Sequence, residues 1–210
     1  MANFHVIQRN AEMVYETFPE SREGLFFDDL IMLEYHPNAS EDELRAAKSK
    51  LKQRDYTGLL WYAEENPDAK EKTYIGNVLI GYDFLFDHGE LLCDMVTVHE
   101  IGHYIWRKIL NYPRECANGM AENFCDTLSL AVVFSRHGRA ALEVGEVLRD
   151  MRQILKAAGD AEHDTIHAVT TFTRAANLRG TDYLQEQDFK GLIDTAHAHV
   201  LNLPFALKPA

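Results

Sequence analysis

The chain has 210 residues, 46% of them apolar, and a formal charge of -12 from 21 Lys plus Arg against 33 Asp plus Glu. That length buries a core without disulfide or metal staples, and the acidic excess, with no basic run to offset it locally, repels a phosphate backbone and excludes nucleic acid as an expected partner. The opening "MANFHVIQRNAEMVYETF" lacks a basic segment followed by an apolar one, and no stretch approaches about eighteen apolar residues, so the expectation is a soluble cytoplasmic protein with no membrane partner.

Taken in order, "NFHVIQRNAEMVYETF" predicts a helix, and Ser40 with Glu43 forms a capping box ahead of a second in "EDELRAAKSKLKQRD". "GLFFDDLIMLEYH" and "TGLLWYAEEN" are short apolar runs that fit helix or strand, and are read as helical. "NPDAKEK" is a polar loop. "TYIGNVLIGYDF", β-branched, aromatic and punctuated by glycine, is the one convincing strand. From Glu90 to about Leu110, apolar residues recur at steps of three and four around much of a helix, which predicts burial. "NYPRECANG" breaks that helix, and another runs from Met120 to a stop at His137-Gly138. Three helical segments follow, in "AALEVGEVLRDMRQILKAA", "AEHDTIHAVTTFTRAANL" and "DYLQEQDFKGLIDTAHAHVL". No repeat or linker divides the chain, so a single domain is expected over 1–210, with a helical part at 1–70, a core at 71–137 and C-terminal helices at 138–210.

The chemistry lies in "TVHEIGHYIW", residues 97–106. Residues four apart on a helix stand one above the other, so His99 and His103 can aim their imidazoles at a common spot. Glu100 is turned from them by about 100 degrees, beyond the metal but within reach of a water bound there. Zinc brings such a water's pKa toward about 7, and a carboxylate beside it can move the proton to a leaving amine. A catalytic zinc takes three protein ligands. The chain after His103 is long enough to end the helix, turn, and return a carboxylate antiparallel, which makes Glu122 the natural third ligand. Asp126, one turn further on, can accept the second ring N–H of a ligand histidine. His-Glu-x-x-His arises by chance roughly 0.04 times per shuffled chain of this composition. The bland alternative, an amphipathic helix with a satisfied histidine pair, leaves the apolar setting of these polar groups unexplained.

"HEIGH" followed by "ENFCDTLSLA" resembles the gluzincin branch of zincin metallopeptidases, and within it the ImmA/IrrE group of small intracellular zincins. There a helix reading roughly E-x-x-[A/C]-[N/D]-x-x-A follows the first motif, and Glu122, Cys125, Asp126 and Ser129 fall on it in register. The likeness covers residues 73 to about 132, although "AVVFSRHG" replaces the usual Leu-Met-Pro ending. It implies one Zn2+ ion on His99, His103 and Glu122, Glu100 as the base, and an α+β, predominantly helical fold: zincin-like, with a small β-sheet packed on the HExxH helix and additional C-terminal helices. It also implies a strand edge that holds an extended peptide, for which "TYIGNVLIG" is the candidate. Gly102 would permit a close backbone approach within this arrangement.

Other candidates are weaker. His163 and His167 are a second pair four apart, with aspartate in the base position, and read as helix surface before a role in holding a reaction intermediate. Tyr104 and Tyr112 read as packing residues, His197 and His199 as surface, and Cys93, Cys116 and Cys125 as buried thiols. The expected activity is zinc-dependent hydrolysis of peptide bonds in a peptide or protein substrate. The alternative is a zinc-binding interaction module of the same fold that cleaves nothing, against which the presence of Glu100 speaks.

Overall fold

A computed structural model describes residues 4–23, 25–28, 58–64, 74–80, 89–112, 119–160 and 163–203. The expected helix after Ser40, the loop at 66–72, most of "NYPRECANG" and Cys116 lie outside these residues. The chain divides into two compact units, 1–104 and 105–210, and the division falls inside the segment 71–137 read as one core.

In the first unit, Phe4–Thr17 forms α1, whose buried Val6, Asn10 and Val14 recur at steps of four. A 3-10 turn at Pro19–Glu23 leads to β1, Leu25–Asp28. The Tyr15 hydroxyl donates to the Leu25 carbonyl at 2.7 Å, and the Arg22 guanidinium lies 4.9 Å over the Tyr15 ring. Gly58–Glu64 is β2 and Tyr74–Ile80 is β3. The strand order is β1-β3-β2, with Leu25 opposite Gly76 in the parallel pair and Gly58 opposite Ile80 in the antiparallel pair.

Three expectations change here. The described parts of "GLFFDDLIMLEYH" and "TGLLWYAEEN", read as helical, are extended, because runs this short carry no decisive period and pairing with a distant strand selects their conformation. β3 is flanked by a strand on each side, so its edges are already hydrogen-bonded and it offers none to a peptide. The α+β class is also corrected. Of the interpretable residues 84% are helical, so helices rather than the short sheet set the class. The reason is visible in how the long apolar helices are covered: in the second unit the burial comes from other helices.

Glu90–Tyr104 forms α2, in which every residue from Cys93 to Gly102 is buried. Such a helix, apolar around most of its circumference, belongs inside a fold. Its one fully buried acid near the start, Asp94, is met from α1: Arg9 lies 3.1 Å from one carboxylate oxygen and the Asn10 amide donates to the other at 2.8 Å. Arg9 also reaches Glu90 at 3.0 Å.

The second unit opens on a π-turn at Ile105–Ile109, where the Leu110 N–H donates to the Ile105 carbonyl at 2.9 Å. The continuous α-helix expected to Leu110 therefore ends at Tyr104. Met120–His137 forms α3, closed by Gly138 at φ +61°, a backbone that glycine adopts without a Cβ penalty. The helices α4 (Leu142–Ala157), α5 (Ile166–Arg179), α6 (Asp182–Gln185) and α7 (Phe189–Leu201) follow. α3 is buried from Asn123 to Phe134 and packs on α5, α6 and α7. The last segment, read as one helix, is two: the Asp188 carboxylate accepts the Gly191 N–H at 2.8 Å and starts α7 afresh. No helix among the described residues is long and apolar enough to cross a membrane.

α4 and α5 approach closely at Gly145. A Cβ there would lie 2.8 Å from Thr173 Cγ2 and 3.1 Å from Thr173 Cβ, and the short, stiff threonine cannot swing away. Gly145→Ala is expected to lower stability by about 1–3 kcal/mol through overpacking, outweighing the roughly 1 kcal/mol that alanine gains in helix propensity. Denaturant unfolding reads this directly, and a stabilised variant would show that the helices part without cost.

Candidate metal centre

His99, Glu100 and His103 lie on α2 in the first unit. The two imidazole centroids are 5.0 Å apart with ring planes at 81°, edge to face rather than stacked. This follows from the four-residue spacing, which places successive side chains one turn apart on the same stripe. His99 is 9% exposed and Glu100 8%. A carboxylate so far withdrawn from water interacts more strongly with any neighbouring charge or proton than one on the surface. The donor types suit zinc: two imidazoles form a two-point bite, and the acid beside them has no competing place on that stripe.

The same helix carries a buried thiol, Cys93, that does not compete as a ligand. Burial pushes its pKa up to about 11, only partly opposed by the hydrogen bond with Thr97, so it stays protonated and weakly nucleophilic. Tyr104, 4% exposed, is a packing residue whose hydroxyl is likewise pushed above its ordinary pKa by burial.

Glu122 and Asp126 lie in the second unit, one turn apart at the start of α3. Asp126 is 1% exposed and heavily engaged. Arg152 of α4 grips it with two bonds, Nε to Oδ2 at 2.8 Å and Nη2 to Oδ1 at 2.7 Å, and the Thr165 hydroxyl donates to Oδ2 at 2.5 Å. Burial opposes the Arg152 charge, but the Asp126 carboxylate overcomes it and holds the guanidinium above its usual pKa. Nothing in the sequence pointed to Arg152 or Thr165 as its partners, since contacts across such separations leave no local pattern.

Glu122 has a neighbour that the sequence reading assigned elsewhere. His163 Nε2 lies 3.7 Å from Glu122 Oε2, and His163 Nδ1 lies 2.7 Å from Asp160 Oδ2. The reading of His163 and His167 as one helical pair is corrected: α5 begins at Ile166, so His163 precedes the helix while His167 stands exposed on it. His197 and His199, read as surface, are both half-buried. His197 bonds the Tyr112 hydroxyl at 3.0 Å beside the Trp106 ring, on which Tyr112 stacks at 4.1 Å. His199 meets the Ala168 carbonyl and Thr171, each at 3.2 Å. Burial lowers the pKa of both imidazoles.

The expected site residues thus form two sets, 99–103 on one helix of the first unit and 122–126 on one helix of the second. No protein-family profile, curated protein or solved structure matches the chain.

Proposed function

We propose that this protein is a zinc-dependent metallopeptidase that hydrolyses peptide bonds, an intracellular protease of the cytoplasm with a narrow protein target. The observation that carries the reading is the pair of imidazoles one helical turn apart with a nearly buried glutamate between them. His99 and His103 supply two ligands of the ion from successive turns of α2. Zinc, when bound, supplies an acidified water and polarises the scissile carbonyl. Glu100 takes the proton released in the attack and returns it to the departing amine. Within the second unit, Arg152 and Thr165 hold the Asp126 side chain of α3 in place. The motif's likeness to the gluzincin pattern supports the same assignment.

Metal analysis of the purified protein tests the centre apart from any substrate. We expect one zinc per chain in the wild type and near-complete loss in His103→Ala, because the variant keeps only one imidazole of the two-histidine bite. A wild type prepared with zinc present that retains none, or a His103→Ala variant that retains it all, overturns the proposal.

A further inference from the structure

We infer that Asp94 is a positioning residue for the metal centre: held by Arg9 and Asn10 of α1, it fixes the rotation of α2 and so the face on which His99 and His103 stand. This rests on the proposed role of the two histidines as ligands. All the residues concerned lie in the first unit.

α2 is buried at every position from Cys93 to Gly102. Apolar burial is non-directional, and a helix that is apolar around most of its circumference packs almost equally well at several rotations about its axis. A metal site cannot tolerate that freedom, because turning the helix by one residue step of about 100 degrees carries both imidazoles to another side. The choice is made near the start of α2. Asp94 is 0% exposed, as is Asn10, which donates its amide to Asp94 Oδ1 at 2.8 Å. The Arg9 guanidinium lies 3.1 Å from Asp94 Oδ2 and is steadied by Glu90, one turn before Asp94, at 3.0 Å. Another rotation takes the carboxylate away from both and leaves a buried charge and a buried amide without these partners, a cost of the kind that specifies register where apolar packing does not.

At about 100 degrees per residue, His99 stands about 140 degrees round the helix from Asp94 and His103 about 180 degrees. With Asp94 turned toward α1, the histidine pair faces away from it. The lock and the ligands thus occupy opposite sides of one helix, and α1 sets the direction of a pair on the far side.

Zinc affinity, measured by competition with a chromogenic chelator, is read against the urea midpoint of the metal-free protein for wild type, Asp94→Asn and the triple variant Arg9→Met with Asn10→Leu and Asp94→Leu. The triple variant exchanges the polar cluster for apolar side chains of similar volume, so its midpoint should match or exceed that of the wild type. Its zinc affinity should nonetheless fall by about tenfold to a hundredfold, the loss that follows when groups orienting metal ligands are removed. Asp94→Asn keeps an acceptor for the Asn10 amide but no charge for Arg9, and should lower the midpoint while holding affinity close to the wild-type value. A merely structural cluster predicts that affinity follows stability in both variants, and that result overturns the inference, as does wild-type affinity in the triple variant. Should the triple variant not fold, Asp94→Asn decides alone: an affinity that drops with its midpoint rejects the rotational role. A wild type that binds no zinc, or His103→Ala with undiminished affinity, removes the metal reading itself, a failure distinct from any outcome of the Asp94 variants.

Discussion

Glu100→Gln is expected to reduce peptide hydrolysis by roughly 100- to 10,000-fold while the protein keeps its full zinc content. That range is what a positioned proton carrier contributes, equivalent to about 3–5 kcal/mol of barrier. The substitution suits the question because glutamine preserves shape and hydrogen bonding but carries no base. Glu100 is 8% exposed, so bulk water has little access to substitute for it. It also lies off the stripe shared by His99 and His103, which is why the metal should be indifferent to the change. Cleavage of a peptide library, read by mass spectrometry beside metal analysis, separates the outcomes. A variant as active as the wild type would remove Glu100 from the chemistry. A wild type that holds zinc yet cleaves nothing would favour a binding module over an enzyme.

Arg152→Ala should cost about 3–5 kcal/mol of folding stability, the usual consequence of leaving a buried charge without its partner. Arg152 is 11% exposed and Asp126 1%, and two near-parallel bonds join them. Removing the guanidinium takes both of these bonds from the carboxylate, while the bond from the Thr165 hydroxyl stays. Replacing both partners should be much milder than the sum of the single losses, because exchanging a buried ion pair for apolar groups of similar volume is often close to neutral. Urea unfolding of Arg152→Ala, Asp126→Leu and the double variant Arg152→Met with Asp126→Leu reads this coupling. Single losses below about 1 kcal/mol, or full additivity, would show the pair to be solvated in practice.

The long helices were legible because their apolar residues repeat at the helical period over many turns. α2 and α3 owe their location to that repetition, and α3 its end to Gly138, whose φ of +61° suits the residue with no Cβ. His99, Glu100 and His103 were equally legible, since a spacing of four becomes proximity on any helix. Shorter segments were not. Leu25–Asp28 and Gly58–Glu64 are extended because β3 pairs with them, a cause that lies outside each short run. The break before α7 turned on one capping aspartate inside an otherwise helical pattern. The α+β expectation came from resemblance rather than from residue pattern, and the helices that cover α3 account for its failure.

Local order is written in the chain at short range: which stretches coil, where a glycine stops them, and which three polar residues share two turns of α2. Partnership is not. That Asp126 is gripped by Arg152 and Thr165, and that Glu122 faces a histidine anchored on Asp160, depends on where α3, α4 and the stretch before α5 come to rest within their unit. A helix dictates its own stripe through backbone geometry, whereas a contact between helices is chosen by the packing of the whole unit, to which each residue adds only a small share.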